Sequence, residues 1–202
     1  MYGAKNNFDD QDPHQLPLNV YGYSKWKFDE YVQSHLKNAA SQIVGLRYFN
    51  VYGPHENHKG KMASVAFHLM NQLDNTNTVK LFSGYGGYGD GEQERDFIFV
   101  EDVVKVNLWF YKNPAKKGIF NCGTGQARSF NDIAKKLIAL HGGGKLEYIP
   151  FPDSLKGAYQ SFTQANLTAL RAMGFTESFA SLEDGLEKYF HWFRGEGLFH
   201  RG

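Results

Sequence analysis

From residue 21 to residue 193 the chain switches again and again between two hydrophobic patterns, and this alternation narrows the available folds more than any other feature. One pattern repeats near 3.6 residues, as a helix with one buried face requires; the other is a short β-branched and aromatic run, as a buried strand requires. Residues 21–40 set Trp26, Tyr31, Val32 and Leu36 at helical spacing, and the β-rich run 41–49 follows. A loop over 50–60 leads to a second helix over about 62–74, whose Met62, Val65, Ala66, Leu69 and Leu73 make one stripe. Strands are expected at 79–82 and 95–100, then a helix over 101–113 with acidic residues in its first turn, where the helix dipole favours them. Residues 118–125 read as a strand ending in a glycine turn, 129–141 as a helix with Ser129 as N-cap, and 145–151 as a strand. Short helices over 166–173, closed by Gly174, and 181–193 complete the order. Such alternation predicts an α/β fold with a parallel sheet, joined to a smaller irregular region.

Composition removes several classes of function. Of the 202 residues 42% are hydrophobic, enough for a core without staples, and the single cysteine, Cys122, excludes an intramolecular disulfide and suits a reducing compartment. Lys plus Arg number 22 against 21 Asp plus Glu, so the net charge of +1 offers no broad field for nucleic acid or for an anionic membrane. No apolar run approaches the roughly 18 residues that span a bilayer, and the first twenty residues lack a basic-then-apolar signal pattern, so a cytoplasmic address is expected.

Tyr21 and Lys25 stand four apart, which on a helix puts both side chains on one face with Cβ atoms about 5–6 Å apart. A free tyrosine, with a pKa near 10, is a poor base at neutral pH, and lowering it by about three units requires roughly 4 kcal/mol. One cation at about 4 Å and an effective dielectric near 20 supplies that order of energy. The same spacing also describes an ordinary surface pair. Lys61, Ser64 and His68 fall together on a flank of the second helix, facing either a cleft or solvent. Arg95 precedes a β-rich run; its planar fork suits a diphosphate, or equally a strand-end ion pair.

Three further features read as structure rather than chemistry. Residues 84–89, GYGGYG, fit the dinucleotide-binding G-x-G-x-x-G pattern literally, but Asp90, Glu92 and Glu94 follow where a phosphate-binding helix should begin. His55, Glu56 and His58 lie in a Gly/Pro loop with no second ligand group at regular spacing, so no metal site is expected. Cys122 falls at the end of a buried strand with no positioned base, which marks a structural thiol.

Together, NVYGYSKWKFDEY, RYFNVYGPHENHKGKMASVAFH, RDFIFVEDVV, FNCGTG and YIPFPDSLKGAYQSFTQANL make the chain resemble the extended short-chain dehydrogenase/reductase superfamily from Tyr2 to about Phe193. Within it, HKGKMASVAFH and FPDSLKGAYQSFTQA are similar to the epimerases that invert C6 of an ADP-heptose for lipopolysaccharide core synthesis. That resemblance implies oxidation and re-reduction at C6 with NADP, or NAD in its place. It implies Tyr21 as catalytic acid/base, Lys25 as the residue that binds the nicotinamide ribose and tunes Tyr21, and Lys59 as second acid/base. It further implies Val51 at the cofactor, and Asn50, Lys61, His68, Phe82, Ser83, Gly84, Tyr85, Arg95 and Tyr159 around the nucleotide sugar. Lys61 stands where a small hydroxyl residue is expected, and the loop after Tyr85 looks expanded relative to the family. A homo-oligomer is implied too, and 17 Phe, 12 Tyr and 3 Trp serve an interface as well as a core.

No strand, Gly-rich turn and helix with a downstream acidic residue occurs in the sequence, and no catalytic Ser or Thr precedes Tyr2 and Gly3. The expectation is the C-terminal part of a Rossmann-type parallel sheet plus a smaller α/β substrate-binding domain. Residues 1–55 are then a Rossmann remnant and 56–202 mainly substrate-binding, with about 95–125 returning to the sheet. Such a chain alone should bind NADP weakly and turn over little or nothing. A nucleotide-sugar 4-epimerase or 4,6-dehydratase would share Tyr21, Lys25 and RYFNVYGP but not the Lys59 base, and a non-catalytic sugar-nucleotide-binding fragment would keep only the fold.

Overall fold

The computed structural model of the chain describes residues 8, 9, 17, 19–157 and 159–196. Helix α1 (Val20–Leu36) opens on Asn19, whose side chain accepts the Gly22 N–H. It stops four residues before the expected end, and Tyr31, expected on its buried face, is 62% exposed. Trp26, Val32 and Leu36 are half-buried instead. Strand β1 (Val44–Tyr48) follows, and only Phe49 separates it from β2 (Asn50–Tyr52), a strand within the stretch 50–60 expected to be a loop. After a 3-10 turn over Asn57–Met62 come α2 (Val65–Thr76), β3 (Thr78–Phe82), β4 (Glu94–Phe99) and α3 (Val100–Lys112). Then follow β5 (Gly118–Cys122), β6 (Ala127–Ser129), α4 (Phe130–His141), β7 (Lys145–Ile149), a 3-10 turn at Asp153–Leu155, α5 (Thr168–Ala172) and α6 (Leu182–Phe193).

The architecture is mixed α/β with predominantly parallel strands, as the alternation predicts. β1 lies parallel to β5, β2 parallel to β4, and β3 parallel to β7; β6 runs antiparallel on the other edge of β4. Two cores result. α2, α4 and α6 cover β2, β3 and β4 through Leu69, Leu73, Leu137, Leu186 and Tyr189, each at most 2% exposed. Burying each leucine of that set contributes roughly 2 kcal/mol. The second core joins β4, β5, α3 and α5 through Ile98, Val106, Phe120, Cys122, Leu170 and Phe175, with Val44 and Leu46 of β1 packed against it.

Polar ties fix how these layers meet. Asp102, fully buried at the start of α3, accepts the Ala180 N–H at 2.8 Å and Lys105 Nζ at 2.6 Å, docking the approach to α6. Arg128 of β6 bridges Asp132 of α4, at 2.9 Å, and Glu183 of α6, at 2.5 and 3.1 Å. Ser129 and Asp132 form a capping box, the N-cap expected for α4. Met62 is 86% exposed and lies outside α2, correcting its place in that helix's stripe: Ser64 is the N-cap, in extended conformation, and its hydroxyl accepts the Phe67 N–H. Among the described residues no helix is long and apolar enough to cross a membrane.

Candidate active site

α2, β3, the loop before β4, the start of α4 and residue 159 surround one apolar cavity of about 150 Å³, lined in part by Leu69, Phe82, Gln93, Phe130, His68 and Tyr159. At its side Arg95, 9% exposed, lies under Tyr159 at 4.8 Å and over Phe130 at 5.7 Å. It donates to the Glu94 carbonyl at 2.8 Å and has the Tyr159 side chain as a second hydrogen-bond partner, and among the described residues no carboxylate pairs with it. Burial pushes the guanidinium down from its ordinary pKa, with Tyr159 opposing. Such a cation, desolvated and lacking an anion, is poised to bind one.

The wall beyond Tyr159 is aromatic. Tyr85 stacks on Phe151 with centroids 4.3 Å apart and planes at 15°, while Phe151 meets Tyr159 edge-on at 5.1 Å and Phe82 at 5.5 Å. The Gly157 N–H donates to the Tyr85 hydroxyl at 2.9 Å, tying the two loops together. Ser83 donates its N–H to Ile149, and Gly84 donates its N–H to Asp90. A Cβ on Gly84 would sit 2.5 Å from the Tyr88 carbonyl, so loop closure alone demands glycine there. His68, Phe82, Tyr85, Arg95 and Tyr159 therefore gather, with Ser83 and Gly84 at their margin.

Lys61 does not join them on a helix flank. It sits exposed in the 3-10 turn, because Gly60, at φ +52, and the extended Ser64 interrupt the helical path. Lys59 occupies the same turn, with Nζ 3.8 Å from Glu56 Oε1. Asn50 and Val51 lie on β2 opposite Phe97 and Ile98. Tyr21 and Lys25 share one face of α1 as the spacing requires, the ammonium 5.3 Å from the ring centroid; Tyr21 is 72% exposed.

Segment 84–89 runs by turns into β4 with no helix after it, so it lacks the N-terminus a pyrophosphate needs. Glu56 is more than a loop residue: at 3% exposure it accepts the Ser64 N–H at 2.9 Å and the Tyr189 hydroxyl at 3.5 Å, anchoring the Lys59 turn to α6. Its neighbour His55, at φ +67, packs edge-on against Trp192. Cys122 is fully buried at the end of β5, and burial pushes its thiol up to about 12, which suits a structural role. No local sequence signal marks Phe151 or Phe130, which complete the aromatic wall: Phe151 arrives after the pairing of β7 with β3, and Phe130 after that of β6 with β4.

The chain belongs to the NAD dependent epimerase/dehydratase family, whose model matches residues 1–123. Among solved structures it is similar to the ADP-L-glycero-D-manno-heptose-6-epimerase of Helicobacter pylori, at 36% identity and TM-score 0.82, over 96% of this chain and 57% of that one. An NAD-dependent NDP-hexosamine 5,6-dehydratase of tunicamycin biosynthesis matches at 27% identity and TM-score 0.75, over 98% and 61%. The UDP-N-acetylglucosamine 4-epimerase of Methanobrevibacter ruminantium M1, at 22% and 0.80 over 97% and 60%, shares the fold. The chain thus spans about three fifths of the length of these structures.

Proposed function

We propose that the chain carries the substrate-binding and proton-transfer residues of an enzyme that inverts C6 of an ADP-linked heptose. The observation that carries this reading is Arg95, buried without a carboxylate beside a small apolar cavity, which fits a nucleoside diphosphate. The 36% identity to a heptose epimerase favours the ADP-heptose over the other sugars of the family.

In this reading the diphosphate lies on Arg95 and the base enters the cavity between Phe82, His68 and Tyr159, with Ser83, Gly84 and Tyr85 at its edge. Asn50 and Lys61 contact the sugar. C6 bears no acidic proton, so its inversion requires removal and return of a hydride, which a nicotinamide supplies when bound; NADP is proposed, with NAD the alternative. The exposed Tyr21 and Lys25 on α1 would hold its nicotinamide ribose, with Val51 of β2 a further cofactor contact, whereas no cradle for its pyrophosphate occurs among the described residues. Tyr21 accepts or returns the C6 hydroxyl proton of one epimer. Lys59 does so for the other, whose hydroxyl lies in a different place. Residues 1–55 and about 95–125 then belong to the cofactor-side sheet and the rest of 56–202 to the substrate side. A cytoplasmic homo-oligomer is proposed.

A panel of nucleotide sugars tests the assignment. Binding of ADP-heptose with at least tenfold preference over UDP-glucose supports it; the reverse preference points to a 4-epimerase or dehydratase site, and no binding of either refutes it.

A further inference from the structure

Arg95 and Asp96 are neighbours on β4, so their side chains point to opposite faces of the strand. Arg95 faces the aromatic wall. Asp96, fully buried on the other face, takes four donors: the Thr124 N–H and hydroxyl, each at 2.7 Å, on Oδ1, and the N–H groups of Gly125, at 2.8 Å, and Ala165, at 2.9 Å, on Oδ2. Three separate parts of the chain therefore meet at one carboxylate: β4, the turn after β5, and the segment 159–165.

That segment is held to β4 sparsely. It runs parallel to the strand as an isolated bridge at Phe162, with the Glu94 N–H donating to Ser161 at 2.9 Å and the Thr163 N–H to Glu94 at 3.2 Å. The Asp96 N–H then donates to the Thr163 hydroxyl at 3.2 Å. The far end of the segment is fixed by the Ala165 N–H on Asp96, and its near end carries Tyr159, the ring over Arg95. Burial pushes the Asp96 carboxyl up from its ordinary range, opposed by its donors. Packing around it is tight: a Cβ on Gly123 would lie 2.8 Å from Asp96 Oδ2 and 2.7 Å from the Ala165 Cβ.

We infer that Asp96 is a positioning residue for the nucleotide cleft: its carboxylate latches the 159–165 strap to β4 and so holds Tyr159 over Arg95. Asp96 faces away from the cavity, so it acts on a bound nucleotide only through the strap. An amide cannot replace it, because in either orientation its NH2 group would face a backbone N–H donor, that of Thr124 on one side or those of Gly125 and Ala165 on the other. The effect on nucleotide affinity rests on the function proposed above; the latch itself does not.

The experiment compares the full 202-residue chain with Asp96→Asn, Tyr159→Ala and the double variant, by hydrogen exchange and by calorimetric titration with ADP. Asp96→Asn is expected to speed exchange at least tenfold in 159–165 and 123–126 while β1 and α4 stay protected. It is also expected to weaken ADP about tenfold in the native background and by less than twofold when Tyr159 is already alanine. Unchanged exchange in the strap, a uniform rise across the chain, or equal weakening in both backgrounds overturns the inference. If the native chain takes up no ADP, the nucleotide reading fails and the exchange pattern alone decides the latch. Should Asp96→Asn not fold, Thr124→Val, which removes one donor of the four, is expected to raise strap exchange two- to threefold; no rise there overturns the latch as well.

Discussion

Replacing Arg95 with methionine separates the two demands on this side chain, because stability and binding should move in opposite directions. The guanidinium is 9% exposed, donates to the Glu94 carbonyl, and touches two rings, Tyr159 at 4.8 Å and Phe130 at 5.7 Å. Two partly desolvated cation–π contacts contribute about 1 kcal/mol each. Against them stands the cost of burying a cation without a counter-ion, which is on the order of several kcal/mol and which methionine, of similar length, removes. The unliganded variant should therefore melt at the native temperature or above it. Binding should suffer. Two charge-assisted hydrogen bonds to a diphosphate contribute about 1.5 kcal/mol each, and about 3 kcal/mol corresponds to roughly a hundredfold weaker ADP at about 1.4 kcal/mol per decade. Scanning calorimetry and ADP titration read both quantities on one preparation. A melting temperature several degrees lower with ADP affinity unchanged would refute the reasoning, since Arg95 would then be a structural cation.

Three other outcomes follow from the same structure. Tyr21→Phe should slow the first hydride transfer to the nicotinamide, followed as cofactor reduction in single turnover on active enzyme, at least tenfold more from one epimer than from the other, and Lys59→Ala should do the reverse; the same epimer preference in both variants would end the two-base account. Leu137→Ala, at a fully buried position between α4 and its neighbours, should cost about 3 kcal/mol in urea unfolding, and a loss below about 1 kcal/mol would mean that this core is loosely packed. Arg128 holds the Glu183 carboxyl below its usual range, so that pair stabilises the fold above the unfolded pKa near 4.3 and the contribution fades as pH falls through the lower folded value. Glu183 is 44% exposed, so about 1 kcal/mol at most is involved and salt should reduce it; Arg128→Gln should flatten the acid limb of the stability curve, and an unchanged limb would exclude the pair as its cause.

α2, α3, α4 and α6 were legible because each buries one face for long enough to show its period, as α4 does with Ile133, Ala134 and Leu137. β2 and β6, at three residues each, are shorter than any detectable alternation, and their pairing with β4 is a matter of tertiary contact. Tyr31 and Met62 misled in the same way: both sit at apolar spacing, yet the one faces solvent and the other precedes the Ser64 cap. In the site, Arg95 and Tyr159 were legible as residue types within recognisable runs. Phe151 and Asp96 were not, since Phe151 gains its meaning from Tyr85, 66 positions earlier, and Asp96 from Thr124 and Ala165. Glu56 read as a loop acid until its burial against Tyr189 and Ser64 placed it beneath Lys59.

The central claim, that the cavity beside Arg95 receives an ADP-linked sugar, is tested most directly by a crystal structure of the chain soaked with ADP-heptose. The account predicts the diphosphate within hydrogen-bond distance of the Arg95 guanidinium and the adenine between Phe82 and Tyr159. Density for the nucleotide elsewhere on the chain, with the Arg95 cavity empty, would contradict it.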